Sequence, residues 1–186
     1  MAGDAARGGL VSAALPVLGR LVEPDETVIL SRRFGASILA LEVLFGDSPT
    51  ARRSREIGVV KGDLLPLAGG VTAQALLAFL PRAEIDQLLL QSRAEQSSSS
   101  TAPVSWMYRR LSGVRDRGYA ASWDEFRIGC GAVAVPIPTE SGGVRAALTI
   151  VTSAARLDPR HLHNFTRRLQ VAAEIIGTRL EELLAA

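Results

Sequence analysis

A chain of 186 residues with 47% hydrophobic and 22% charged side chains has the balance of one folded globular domain, and its length gives no reason to divide it. The net charge is only +2, with twenty arginines and the single lysine Lys61 nearly matched by acids, so direct nucleic-acid binding has little support, and the basic cluster Arg52, Arg53 and Arg55 reads as a solvated turn. One cysteine, Cys130, excludes an internal disulfide; no apolar run approaches the roughly 20 residues of a membrane span, and the opening MAGDAARGG lacks a secretory core, which leaves the cytoplasm as the expected setting.

Residues 1–9 are expected to be a flexible lead, and residues 10–186 a single domain. Apolar side chains at Val11, Ala14, Leu15, Leu18, Leu21 and Val22 follow the spacing of one helical face, with Pro16 marking either a kink or the true start. Glu26–Arg33 and Ala36–Phe45 are rich in β-branched and aliphatic residues and flank Gly35, as in a β-hairpin. A third strand is expected at Glu56–Val60, after the Asp47-Ser48-Pro49 turn. The run LLPLAGGVTAQALLAFL from Leu64 reads as a glycine-lined loop opening a helix with Leu76, Leu77 and Leu80 inward, and Pro81 starts a second helix with Ile85, Leu88 and Leu89 buried.

The polar run Ser97–Thr101 cannot pack and is expected to be a mobile loop. Pro103 then permits a helix with Val104, Tyr108, Leu111 and Val114 on one side, ending near Gly118. A short strand and turn are expected over Tyr119–Glu125. In Gly129–Pro138, Val133, Val135 and Ile137 alternate with small residues, so one strand face is bulky and the other nearly bare. Pro136 cannot donate to a ladder and belongs at an edge, bulge or strand end. A turn at Ser141-Gly142-Gly143 joins this strand to another over Val144–Thr152. Asp158 and Pro159 form the N-cap and first position of a long closing helix whose apolar face runs from Leu162 to Leu184. Two groups of strands with helices before, between and after them describe an α+β fold with a mainly antiparallel sheet.

Two segments have the chemistry of a binding site. At the start of the helix near Val71, the unpaired amides of Val71, Thr72 and Ala73, with the Thr72 hydroxyl, suit a carboxylate; alternatively Gly69 and Gly70 make a turn and Thr72 caps its own helix. The small residues Gly129, Cys130, Gly131 and Ala132 leave room beside the sheet, either for a ligand or for close helix packing. His161 and His163 point about 200° apart on a helix, which opposes shared metal ligation. Cys130 has no neighbouring charge or histidine to activate it and reads as a small thiol in the wall. Trp106 and Trp123 lack the arginine-aromatic array of a base-stacking surface and read as packing residues.

In order and spacing, LPLAGGVTAQALLAFLP (Leu65–Pro81), RGYAASWDEFRIGCGAVAVPI (Arg117–Ile137), ALPVLGRL (Ala14–Leu21), RAALTI (Arg145–Ile150) and the closing helix resemble the C-terminal effector-binding domain of IclR-type bacterial transcription regulators. The resemblance covers nearly the whole chain. It implies a GAF-like curved sheet flanked by helices, with one sheet face forming a metabolite pocket. By that likeness Leu65, Gly70, Val71, Thr72, Ser122, Cys130, Ala132, Thr149 and Val151 are the effector-binding residues, with Leu65 an apolar wall and Thr149 supplying a hydroxyl. The family often has a Gly-Lys pair where this chain has Ala73 and Gln74, and an acid where it has Ser122, which points to a different effector. The resemblance further implies a non-enzymatic sensor of a small organic acid or aromatic metabolite, without metal or cofactor. It implies assembly as a homodimer or homotetramer, with DNA contacted only through a winged helix-turn-helix domain ahead of the sensing domain. The rival reading is a free-standing GAF-like sensor or enzyme without a DNA partner; no set of acid, base and nucleophile supports the enzyme.

Overall fold

The structure, a computed structural model, describes residues 2–49, 58–67, 69–95, 104–125, 127–138 and 143–185. In chain order its elements are α1 (Ala2–Leu21), β1 (Thr27–Phe34), β2 (Ser37–Phe45), β3 (Leu64–Pro66), α2 (Gly70–Leu77), α3 (Arg82–Glu95), α4 (Val104–Arg117), β4 (Ala120–Trp123), β5 (Cys130–Pro138), β6 (Val144–Ser153), a 3₁₀ turn (Ala154–Arg156) and α5 (Pro159–Ala185). The expected turn at Ser141–Gly142, the polar run at 97–101 and the basic cluster at 52–55 lie outside the described residues.

The described strands form one curled antiparallel sheet in the order β3-β2-β1-β6-β5-β4. Its two hairpins come from opposite ends of the sequence. The seam between them is β1 against β6, from Thr27 opposite Val151 to Ser31 opposite Ala147. Such a pairing leaves no local pattern, because each strand satisfies its own period without naming its partner.

On one side of the sheet Val28, Leu30, Leu39, Leu41, Val133, Val135, Ile137, Leu148 and Ile150 pack against α1 and α5. On the other, Ile38, Ala134 and Ala147 meet α2, α3 and α4. The alternation expected for β5 is therefore observed, with valine and isoleucine toward the two long helices and small residues toward α2. Pro136 lies in β5 beyond the reach of β4, whose pairing ends at Ala120 opposite Ala134, so its missing N–H costs no ladder bond on that side.

The third strand is not where periodicity places it. Residues 51–57 lie outside the described residues, Gly58–Val60 are not in a strand, and β2 instead pairs with Leu64–Pro66. The Ala40 N–H and carbonyl extend this edge through Asp63 and Gly62. A three-residue strand containing proline has too little length to show a period, and as an edge it needs no donor from Pro66. Helix α1 also departs from expectation by continuing through Pro16. Pro16 sits on the exposed face beside Ser12, where solvent can satisfy the freed carbonyl, and the buried face is Leu10, Ala13, Ala14, Leu18 and Leu21 rather than one including Leu15.

Helix α5 starts as its sequence dictates: the Arg160 and His161 N–H groups donate to Asp158 Oδ1 at 2.9 and 2.8 Å. These bonds, led by that from His161, hold the Asp158 carboxyl below its ordinary pKa. Its last turn leaves Leu183 and Leu184 exposed, against expectation. Twenty-seven residues span about 40 Å as a helix whereas the nine of β5 span about 30 Å, so α5 outruns its sheet.

One buried ion pair locks this layer. Arg168 on α5 donates from both guanidinium ends to Glu26, at 2.8 and 2.9 Å, and also to the Leu21 carbonyl at the end of α1. Burial pulls the Arg168 pKa down, but the Glu26 hydrogen bonds and the Glu26 and Glu23 charges outweigh it and leave it raised. The fork thus fixes α1, the α1–β1 connection and α5 together.

Candidate functional site

The small-residue face of the sheet does not close completely against α2. Between them lies a cavity of about 280 Å³, lined by Ile29, Ile38, Val59, Leu65, Pro66, Gly69, Gly70, Val71, Thr72, Ser122, Glu125, Cys130, Gly131, Ala132, Thr149 and Val151. All nine residues singled out from the sequence contribute to this one wall. The strand contributions follow from register: Ser122, Ala132 and Val151 stand opposite one another across β4, β5 and β6, with Thr149 two residues along β6 on the same face.

The helix end is shaped by glycine. Gly69 occupies the N-cap of α2 and makes no side-chain cap, while Gly70 has φ of +74°, a left-handed conformation that side chains disfavour. Among the described residues, a Cβ at either position would meet nothing within 4 Å. Thr72 does not cap its own helix. Its hydroxyl instead lies 2.8 Å from that of Thr149, joining α2 to β6 across the cavity wall. At the opposite end, Arg115 of α4 donates to the Ala78 carbonyl, so both ends of α2 are held by neighbouring elements.

Close packing explains one of the small residues. At Gly131 a Cβ would lie 3.0 Å from Leu157 side-chain atoms, so this glycine is required by the segment after β6. Cys130 and Ala132 belong to the opposite face and border the cavity. Thr149 and Ser122 are buried, supplying two hydroxyls to a wall otherwise built largely from aliphatic side chains. Sequence reasoning missed Ile29, Ile38 and Val59, whose aliphatic side chains look like ordinary core, and Glu125, which looks like a surface charge next to a turn.

His161 and His163 are on the first turns of α5 and do not reach the cavity lining, and the described residues contain no group of three His, Cys, Asp or Glu side chains placed to hold a metal. No helix of the described residues is long and apolar enough to cross a membrane.

Comparison with known proteins agrees with this architecture. Residues 5–178 match the family described as bacterial transcriptional regulator IclR C-terminal. Over 169 residues the chain is 28% identical to the HTH-type transcriptional regulator KipR of Bacillus subtilis (strain 168), covering 90% of this chain and 66% of that protein. It is 32% identical over 120 residues to the HTH-type transcriptional regulator XynR of Escherichia coli (strain K12), covering 64% of this chain and 48% of that protein. The chain thus spans about two thirds of the first relative's length and about half of the second's. Among solved structures, the C-terminal domain of the E. coli transcriptional regulator KdgR superposes with a TM-score of 0.75 at 24% identity, over 92% of this chain and 98% of that one.

Proposed function

Because the chain belongs to the IclR family of bacterial transcriptional regulators, whose C-terminal domain it forms and whose members are regulators rather than enzymes, we propose that it is the effector-binding and self-associating domain of a cytoplasmic regulator. The effector is a small organic acid or aromatic metabolite. DNA is contacted through a winged helix-turn-helix domain outside these residues, and no metal or cofactor takes part. The observation that carries this reading is the cavity itself, where an apolar wall meets the uncapped start of α2. An anionic head is stabilised by the amides and dipole of the helix end, and the body by aliphatic burial.

The mechanism follows from the Thr72–Thr149 contact. A carboxylate at the α2 amides competes for both hydroxyls, so the bound and empty states differ in how α2 sits against β6. A ligand that favours one of these arrangements shifts the domain between them. The first and last helices pass that shift to a second copy of the chain, giving a homodimer or homotetramer. Exposed Leu15 on α1 with Val171 and Ile175 on α5 support this choice of surface.

A thermal-shift screen of small organic acids and aromatic catabolites tests the proposal. At least one is expected to raise the unfolding temperature saturably, and Thr72→Ala and Thr149→Ala are each expected to weaken that effect. A ligand whose stabilisation is indifferent to both substitutions overturns the site.

A further inference from the structure

The cavity has one charged wall, which the reading above leaves unused. Among the described lining residues Glu125 alone is charged. It follows β4 in the connection to β5, its side chain is 26% exposed, and its Oε1 accepts a hydrogen bond from Arg110 Nη2 at 3.2 Å. Arg110 is itself braced on α4, with its guanidinium 4.6 Å over the Trp106 ring and its Nη1 directed at the Ala121 carbonyl. A partly exposed ion pair adds little to stability, so folding alone gives small reason to anchor a guanidinium on three partners. The arrangement does fix a carboxylate at the border of an apolar cavity.

We propose that Glu125 determines specificity: the cavity takes a monocarboxylate whose far end carries a hydroxyl or ammonium, and Glu125 accepts that donor while rejecting a second carboxylate. The inference rests on the effector-site reading. Glu125 lines the same cavity as Gly70, Val71 and Thr72, so a ligand whose carboxylate meets the first amides of α2 shares that space with the Glu125 side chain. A carboxylate accepts several donors, so Glu125 can keep Arg110 while taking one from the ligand. Ser122, buried in the same wall, supplies a hydroxyl and no charge of its own.

The test is calorimetric titration of the full chain with a matched five-carbon series: pentanoate, 5-hydroxypentanoate, 5-aminopentanoate and pentanedioate. Wild type is expected to bind the hydroxy and amino acids about five- to tenfold more tightly than pentanoate, and pentanedioate most weakly. Glu125→Gln, nearly isosteric, and Glu125→Ala are expected to bring the amino acid and pentanoate within about twofold and to raise the affinity of pentanedioate relative to the other three. An unaltered ranking in both variants, or equal weakening of all four ligands, overturns the role of Glu125. So does failure of all four to bind wild type, although a hit from the broader screen that depends on Thr72 and Thr149 then leaves the effector site standing. Binding of the series without dependence on Thr72 and Thr149 instead removes the effector-site reading beneath it.

Discussion

The two faces of the sheet are built from the same strands and serve opposite ends. Toward α1 and α5, β5 and β6 present Val133, Val135, Ile137, Leu148 and Ile150, all fully or almost fully buried. Toward α2 the same strands present Cys130, Ala132, Ala134, Ala147 and Thr149, and part of the space those short side chains leave is the cavity. One face gains stability by filling space and the other gains a binding site by leaving it. Residues only one position apart in sequence should therefore respond to substitution in different measurements.

The largest stability losses are expected on the filled face. Leu148→Ala removes a fully buried side chain from the centre of the α1/α5 layer and is expected to cost about 3 kcal/mol in chemical denaturation, with ligand affinity per folded molecule nearly unchanged. Arg168→Ala leaves the Glu26 carboxylate buried without its fork and is expected to cost about 3 kcal/mol, in part by releasing the end of α1. Equal losses from Arg168→Met and Arg168→Ala would assign the effect to charge, and recovery in Arg168→Met to packing.

On the open face the order reverses. Ala132→Leu places a longer side chain in existing space, so its effect on stability is expected to stay below about 1 kcal/mol while any effector found by screening loses binding by more than about tenfold. Loss of stability comparable to that of Leu148→Ala would show that this face is as tightly filled as the other. The smallest effect belongs to the α5 cap. The folded Asp158 pKa is depressed, so its contribution is present above the unfolded-state value and is lost as pH falls through the folded-state value. Thermal unfolding of wild type and Asp158→Asn, which can still cap but does not titrate, should therefore converge below about pH 4.

Much of this division was legible in the sequence because it is local. The alternation of Val133, Val135 and Ile137 with small residues assigns both faces of β5, and Asp158-Pro159 announces the start of α5. Thr72 shows where such reading stops: a threonine near a helix start is equally suited to capping and to ligand contact, and only the fold reveals Thr149 beside it. The β1–β6 seam and the three-residue β3 carry no periodic signal, the first because its partners are over a hundred residues apart and the second because it is too short. Glu125 was invisible for a different reason. A glutamate after a strand is ordinary surface chemistry until Arg110 and Trp106 are seen to brace it.

Backbone amide chemical-shift mapping with the best acid from the screen tests the separation of the two faces most directly. The largest perturbations are expected on Gly70, Val71 and Thr72 and on the β5 and β6 residues around Ala132 and Val151, with the amides of α1 and α5 facing the filled layer changing least. Perturbations centred on Leu18, Leu169 and Ile176, with the start of α2 unmoved, would contradict it.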